Sequence, residues 1–363
     1  MLHRHFDDWT LISAVKCLHL DYNQGFPLAA SILAQHGSEP IGAYSLLPDK
    51  RFLFDSTASL WFLAFRDIGK SRVILGGPIG ANDTAGPAMK AAHSDARQRG
   101  KRLIYYQVPR SIALMPEAES YSRVYIGSDA SIDLARFTLR GNAYQDLRSA
   151  RNRMNKNQIV FCEITSGNVS PDDKRQLAEI SAQWLRARKA RELQFSMGKF
   201  DEVVHILKYN RIFTARSVST RRLIGFVTFV PIFDGKRHGR PSGYGLDLMR
   251  SSSEIPGTVE FLITEALLLF RDEGCVRASL GMSALANLEE ESGQLKQNGG
   301  LDRVLRLAFS RCNMLYSFKG LSEFKRKFQP EWLPRYMLYQ GKRGLVPSTY
   351  ALFRAHTQAT VPK

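Results

Sequence analysis

The chain has 363 residues, 44% hydrophobic and 23% charged, which is enough apolar material for one or two cores and rules out wholesale disorder. Lys and Arg number 51 against 34 Asp and Glu, and the surplus of +17 favours a polyanionic partner, either nucleic acid or an anionic membrane face. Four scattered cysteines, Cys17, Cys162, Cys275 and Cys312, form no CxxC pair and lack a histidine at zinc-ligand spacing, so free thiols in a reducing compartment are expected.

Residues 1–35 read as helical, with Pro27 as a break, and the N-terminus lacks a signal-peptide pattern. Three short apolar runs follow, Ile41–Leu47, Arg51–Phe54 and Ser59–Phe65. Turn residues split them, which suggests an antiparallel meander. Arg72–Leu75 is a strand that ends at the tight turn Gly76-Gly77-Pro78-Ile79-Gly80. Helix Ala85–Gln98 and strand Leu103–Val108 come next. Val124–Ile126 and Ile132–Leu139 are strand-like. Tyr144–Asn157 is a basic helix with Leu147, Ala150 and Met154 on one side. After strand Ile159–Ile164 the polar stretch Thr165–Asp173 suggests a domain boundary.

The second half repeats the plan. Helices are expected over Asp173–Ala190, Asp201–Tyr209, Thr258–Glu273 and Leu301–Ala308, and strands over Ile212–Ser219, Arg222–Pro231, Ser242–Met249 and Val276–Leu280. Phe318–Tyr339 is dense in aromatics and cations. No apolar run approaches the ~18–20 residues that span a bilayer. The domains are therefore 1–165, carrying the basic helix 144–157, and 166–345, with a tail over 346–363.

P-loop, GxGxxG, HExxH and GxSxG patterns are all absent, so no metal is expected, and positioning with general acid–base chemistry remains. Three segments carry chemistry. Arg148, Arg151, Arg153 and Lys156 on the basic helix could grip phosphates or simply form a solvated face. The strand Tyr244–Arg250 ends with Asp247 and Arg250 ahead of a helix N-terminus, a place that favours anions. Glu260 in that helix's first turn could be a dipole contact. From Phe318 to Tyr339, aromatics alternate with cations that include Lys325 and Lys327, and such a segment suits stacking or a phosphate interface.

Together these segments resemble the catalytic domain of the bacterial phosphatidylglycerol lysyltransferases, the multiple peptide resistance factor family. The resemblance covers roughly residues 30–340 and is carried by an ordered set of markers. They include Asp49-Lys50, Gly76 to Gly80, Tyr106-Gln107-Val108, Leu147-Arg148 to Asn152-Arg153, Phe195-Ser196 with Gly198, Asp247 to Arg250, Leu280-Gly281-Met282 and Phe318 to Tyr336. The resemblance implies an α+β fold of two tandem GNAT-like acyltransferase domains, each a mixed, mostly antiparallel sheet flanked by helices. It implies transfer of an amino acid, lysine or alanine, from charged tRNA to a phosphatidylglycerol hydroxyl. Charged tRNA is a co-substrate and no further cofactor is implied. The location implied is cytoplasmic, or peripheral on an anionic membrane face.

Carried over residue by residue, Asp247, Arg250 and Lys325 fall to catalysis. Glu260, Phe195, Ser196, Lys327 and Tyr316 fall to substrate binding, and Arg148, Arg151, Arg153 and Lys156 to tRNA. Many members of the family carry a membrane-spanning N-terminal region, and no apolar run in this sequence matches one. That leaves transfer to a soluble small-molecule acceptor as the alternative.

Overall fold

The computed structural model describes residues 17–164, 169–187, 195–198, 210–252, 254–284, 318–341 and 344–358. The expected helices over 201–209 and 301–308, and Tyr316, lie outside them.

Short β1 (Leu18–Leu20) leads into α1 (Tyr22–His36), whose N-cap Asp21 accepts the Gln24 N–H at 2.9 Å. The helix runs through Pro27, so the expected break is absent. Pro27 costs the helix one hydrogen bond, while Ala29, Ile32 and Leu33 bury its inner face. The run at 41–47 is also not a strand. Pro40–Leu46 forms a 3-10 turn, with Pro40 at its start and five consecutive buried residues, a pattern without strand alternation.

The meander β2 (Arg51–Phe54), β3 (Trp61–Ile68) and β4 (Ser71–Leu75) follows, and β5 (Ile79–Gly80) pairs with β3. Helix α2 (Ala85–Gln98) crosses over to β6 (Arg102–Pro109), parallel to β4. After the single turn α3 (Arg110–Ala113), the two expected strand pieces near 124 and 132 are one strand, β7 (Ser122–Asp133). Helix α4 (Gln145–Lys156) buries Leu147, Ala150 and Met154, and β8 (Ile159–Ile164) leads to α5 (Pro171–Ala187).

The second meander is β9 (Arg211–Ser217), β10 (Leu223–Ile232) and β11 (Gly243–Ser251). Helix α6 (Thr258–Asp272) then crosses to β12 (Arg277–Ala284), parallel to β11. Gly257 precedes α6 at φ 90 and Gly274 follows it at φ 77, left-handed positions that bracket the helix with little strain. Helix α7 (Phe318–Arg326), β13 (Glu331–Tyr339) and α8 (Leu345–Thr357) complete the described chain. The segment from 346, read as a tail, is thus helical through Thr357.

All the described strands join one mixed, mostly antiparallel sheet in the order β1-β2-β3-β4-β6-β13-β7-β12-β11-β10-β9-β8, with β5 off the path. This order reads alike from both ends: a meander, a parallel pair bridged by a helix, then a closing strand. The closing strands are exchanged. β13 from the second half pairs with β6, and β7 from the first half pairs with β12. The halves share a seam at β7 and β13, so positions far apart in sequence meet there.

Candidate active site

Each parallel pair fits together at one end and separates at the other. β11 and β12 pair only through Gly243↔Arg277, Tyr244↔Ala278 and Gly245↔Ser279. Beyond that, β11 follows β10, while β12 shifts register past Ser279 and follows β7, with Gly281 at φ 78. A Cβ at Gly281 would carry the strain of that left-handed backbone. Between the diverging strands lies a cavity of about 210 Å³, lined by Tyr44, Gln107, Asp129, Ser196, Asp247, Lys325, Arg335 and His356 among others.

The first half has its own divergence, past Leu75↔Tyr106, with a smaller cavity of about 150 Å³ beside Gly76, Gly77 and Pro78. Counted from the last paired residues, Gly77 stands where the second half has Asp247. Only the second half places a carboxylate at this point.

Asp247 is half-buried and lines the cavity. The Gly198 N–H donates to Oδ1 at 3.0 Å, the Thr228 hydroxyl to Oδ2 at 3.4 Å, and the Tyr44 hydroxyl also donates to the carboxylate. Burial pushes its pKa up to about 6. The three donors and the Arg250 charge hold it from rising further. The 3-10 turn that replaced an expected strand is what brings Tyr44 here.

Lys325 enters from α7 and is 3% exposed. Its ammonium donates to the carbonyls of Gly281 at 2.9 Å and Met282 at 3.1 Å, at the point where β12 turns away. Burial pulls its pKa down to about 8, against the opposing charge of Asp129. Asp129 accepts from Ser279 Oγ at 2.8 and 2.9 Å and lies 3.9 Å from Arg335, which also pairs with Glu39.

The other residues expected at the site separate into groups. Arg250 lies three positions along the strand from Asp247, past a bulge between Leu246 and Met249, and is not among the residues that line the cavity. It donates to Ser181 on α5 and stacks 5.5 Å from the Trp184 ring. Glu260 and Lys327 pair with each other at 2.9 Å, outside the cavity lining. Phe195 is buried against Tyr106 and His356, with the Lys50 ammonium 4.5 Å from its ring. Ser196 does line the cavity, and its Oγ is 2.9 Å from His356 Nε2.

On the basic helix, Arg148 donates to the carbonyls of Leu139 and Gly141, and Arg151 pairs with Glu265 of α6. Both tie α4 to its neighbours. Arg153 donates to the Pro256 carbonyl at 2.9 Å yet stays exposed, as does Lys156.

Sequence reasoning did not single out Tyr44, Asp129 or His356 for the site. Each comes from an element distant from Asp247, and only the topology brings them together.

The model of the phosphatidylglycerol lysyltransferase C-terminal family matches residues 30–339. The chain belongs to that family. The lysyltransferase of Bacillus subtilis is 28% identical over 326 residues, which are 90% of this chain and 36% of that protein. That of Staphylococcus haemolyticus is 29% identical over 328 residues, 89% of this chain and 37% of that protein. The chain therefore spans little more than a third of these curated relatives. Among solved structures, L-PGS from Bacillus licheniformis superposes with a TM-score of 0.76 at 26% identity, covering 90% of this chain and 95% of that one. Helix α8 lies beyond the region that the lysyltransferase model matches, yet it supplies His356 to the cavity.

Proposed function

We propose that this chain transfers an amino acid, lysine or alanine, from charged tRNA to a hydroxyl of phosphatidylglycerol. The observation that carries the reading is that the Asp247 carboxylate and the buried Lys325 ammonium line one cavity between diverging parallel strands, where burial pushes the first up to about 6 and the second down to about 8. Membership of the lysyltransferase family supports the choice of substrates.

Aminoacyl-tRNA is already an activated ester, so the chemistry needs a base, a place for developing negative charge and exclusion of water. Asp247 takes the proton of the acceptor hydroxyl as its oxygen attacks the aminoacyl carbonyl. The tetrahedral oxyanion forms within reach of the Lys325 ammonium. Collapse breaks the bond to the tRNA ribose oxygen, which takes the proton back from Asp247. Asp247 is suited to both transfers because its affinity for the proton is close to neutral pH.

Exposed Arg153 and Lys156, with exposed Arg136 and Arg140 before them, form the surface for the tRNA backbone. Arg148 and Arg151 act as struts beneath it. This reading places the chain in the cytoplasm, at the inner face of an anionic membrane. No described helix is long and apolar enough to cross one.

The test is transfer of label. Purified protein is mixed with a radiolabelled pool of charged tRNA and phosphatidylglycerol vesicles. Label entering the organic phase is expected. Label that leaves tRNA only when a soluble extract is added would overturn the lipid acceptor.

A further inference from the structure

We propose that Ser196 is a fixed hydrogen-bond acceptor for an N–H or O–H group of the substrate, and that His356 is the positioning residue that fixes it. The inference rests on the transferase reading above.

His356 Nδ1 lies 2.8 Å from the Leu352 carbonyl oxygen, one helical turn back on α8. A carbonyl only accepts, so Nδ1 carries the hydrogen. Nε2 faces Ser196 Oγ at 2.9 Å. Whether Nε2 also carries a proton depends on the charge of the ring. The charged groups facing the ring are Lys50, Arg66 and Asp49. The two cations disfavour an imidazolium and Asp49 favours one, while burial among protein atoms disfavours it most. The ring is therefore neutral, its pKa pushed down to about 4, and Nε2 is a bare acceptor. The serine hydroxyl must donate to it.

The ring cannot readily turn away from this arrangement. Tyr106 meets it edge-on at 5.3 Å and Phe195 at 5.4 Å. Arg66 donates to the carbonyls of Ala355 at 2.9 Å and Gln358 at 2.7 Å, clamping the end of α8 to β3. With its hydrogen committed to His356, Ser196 Oγ presents only lone pairs to the cavity it lines. Gly198, two residues on, holds Asp247 through its N–H at 3.0 Å, so one short segment sets both the serine and the proposed base.

The same charges argue against Ser196 as a nucleophile. Attack by its oxygen would require His356 to take the proton and become an imidazolium beside Lys50 and Arg66, where that form is disfavoured. Two substrate groups offer the matching chemistry: the amine of the aminoacyl moiety and a glycerol hydroxyl of the lipid.

Steady-state transfer with each substrate varied in turn separates these sources. Ser196→Ala is expected to raise KM about 3- to 10-fold for one substrate, the loss of one hydrogen bond, with kcat nearly unchanged. A rise for charged tRNA assigns the amine, and a rise for phosphatidylglycerol vesicles assigns the hydroxyl. His356→Gln keeps an acceptor and is expected to behave as wild type. His356→Met keeps the volume without the acceptor and leaves the serine hydroxyl free to turn, so it is expected to raise the same KM by no more than Ser196→Ala does, and adding it to Ser196→Ala should cost nothing more. Unchanged KM values in Ser196→Ala, or labelled aminoacyl-serine on the protein, would overturn the proposal.

Nitrogen NMR of the histidine rings in the wild-type protein alone needs no turnover. It is expected to show His356 neutral, with the proton on Nδ1, from about pH 5 to 9. A ring that titrates near neutral pH, or that carries its proton on Nε2, would overturn the proposal even if transfer were normal. The expected ring state in a protein that transfers no label would instead fault the transferase reading.

Discussion

Asp247→Asn should make the protein both inactive and more stable, because the charge proposed as the base is held at a cost to the fold. The asparagine amide is nearly isosteric. Its oxygen can keep the Gly198 N–H, and its NH₂ then faces the hydroxyls of Tyr44 and Thr228, which can turn to accept. The fold raises this carboxyl from 3.8 to about 6, which means that it favours the protonated form. Stability from that preference is fully present below about pH 4 and is lost as pH rises through about 6. At ~1.4 kcal/mol per pH unit, the cost at pH 8 is about 2–3 kcal/mol. The amide cannot ionise, so Asp247→Asn should be more stable than wild type by about that amount at pH 8 and by little at pH 4. Transfer should fall by about 10²–10⁴-fold, the usual contribution of a general base. Urea unfolding of both proteins at the two pH values, with transfer rates alongside, is the assay. A variant that keeps full activity, or gains no stability between pH 4 and 8, would refute the reasoning.

Three other outcomes follow from the same geometry. Lys325 keeps its charge only below about 8, so transfer should rise as Asp247 ionises near 6 and decline above 8, and Lys325→Met should abolish activity across a pH–rate profile. Arg250→Met removes the tie to Ser181 and the stack on Trp184, so it should lower stability by about 1.5–3 kcal/mol, seen as a drop in urea midpoint. Charge reversal at Lys156 should weaken tRNA binding and flatten its salt dependence with little change in Tm, whereas Arg151→Ala should lower Tm by freeing α4 from Glu265.

Much of the fold is visible in local sequence because its signals are local. The helical spacing of Leu147, Ala150 and Met154 is enough to mark the inner face of α4, and Gly274 marks the end of α6. Where expectation and fold differ, distant contacts decided the outcome. Packing of Ala29, Ile32 and Leu33 carries α1 through Pro27, and burial of the five consecutive residues Gly42–Leu46 accompanies a 3-10 segment where the apolar content suggests a strand.

The exchange of β7 and β13 has no local signal at all, and the site depends on it. Asp129 reaches Ser279 only because β7 crosses to β12. At the site itself, the residue types at Asp247 and Lys325 were legible, and the direction of a neighbouring side chain was not. Arg250 shares a strand with Asp247, and a bulge in β11 between Leu246 and Met249 leaves both on the α5 face of the sheet, where Arg250 runs to Ser181 rather than into the cavity lining. His356 was hidden for a different reason. It stands alone in a segment read as a tail, and its partner Ser196 is 160 residues away.

The most direct test of the account is to supply lysyl- and alanyl-tRNA separately, each labelled on the amino acid, with vesicles that contain or lack phosphatidylglycerol, to wild type and to Asp247→Asn. The account predicts label in the lipid phase for one or both donors, only with phosphatidylglycerol and only with the aspartate in place. Label that reaches lipid equally well with the asparagine variant would contradict the assignment of the site. The absence of any lipid label from wild type with either donor would contradict the function.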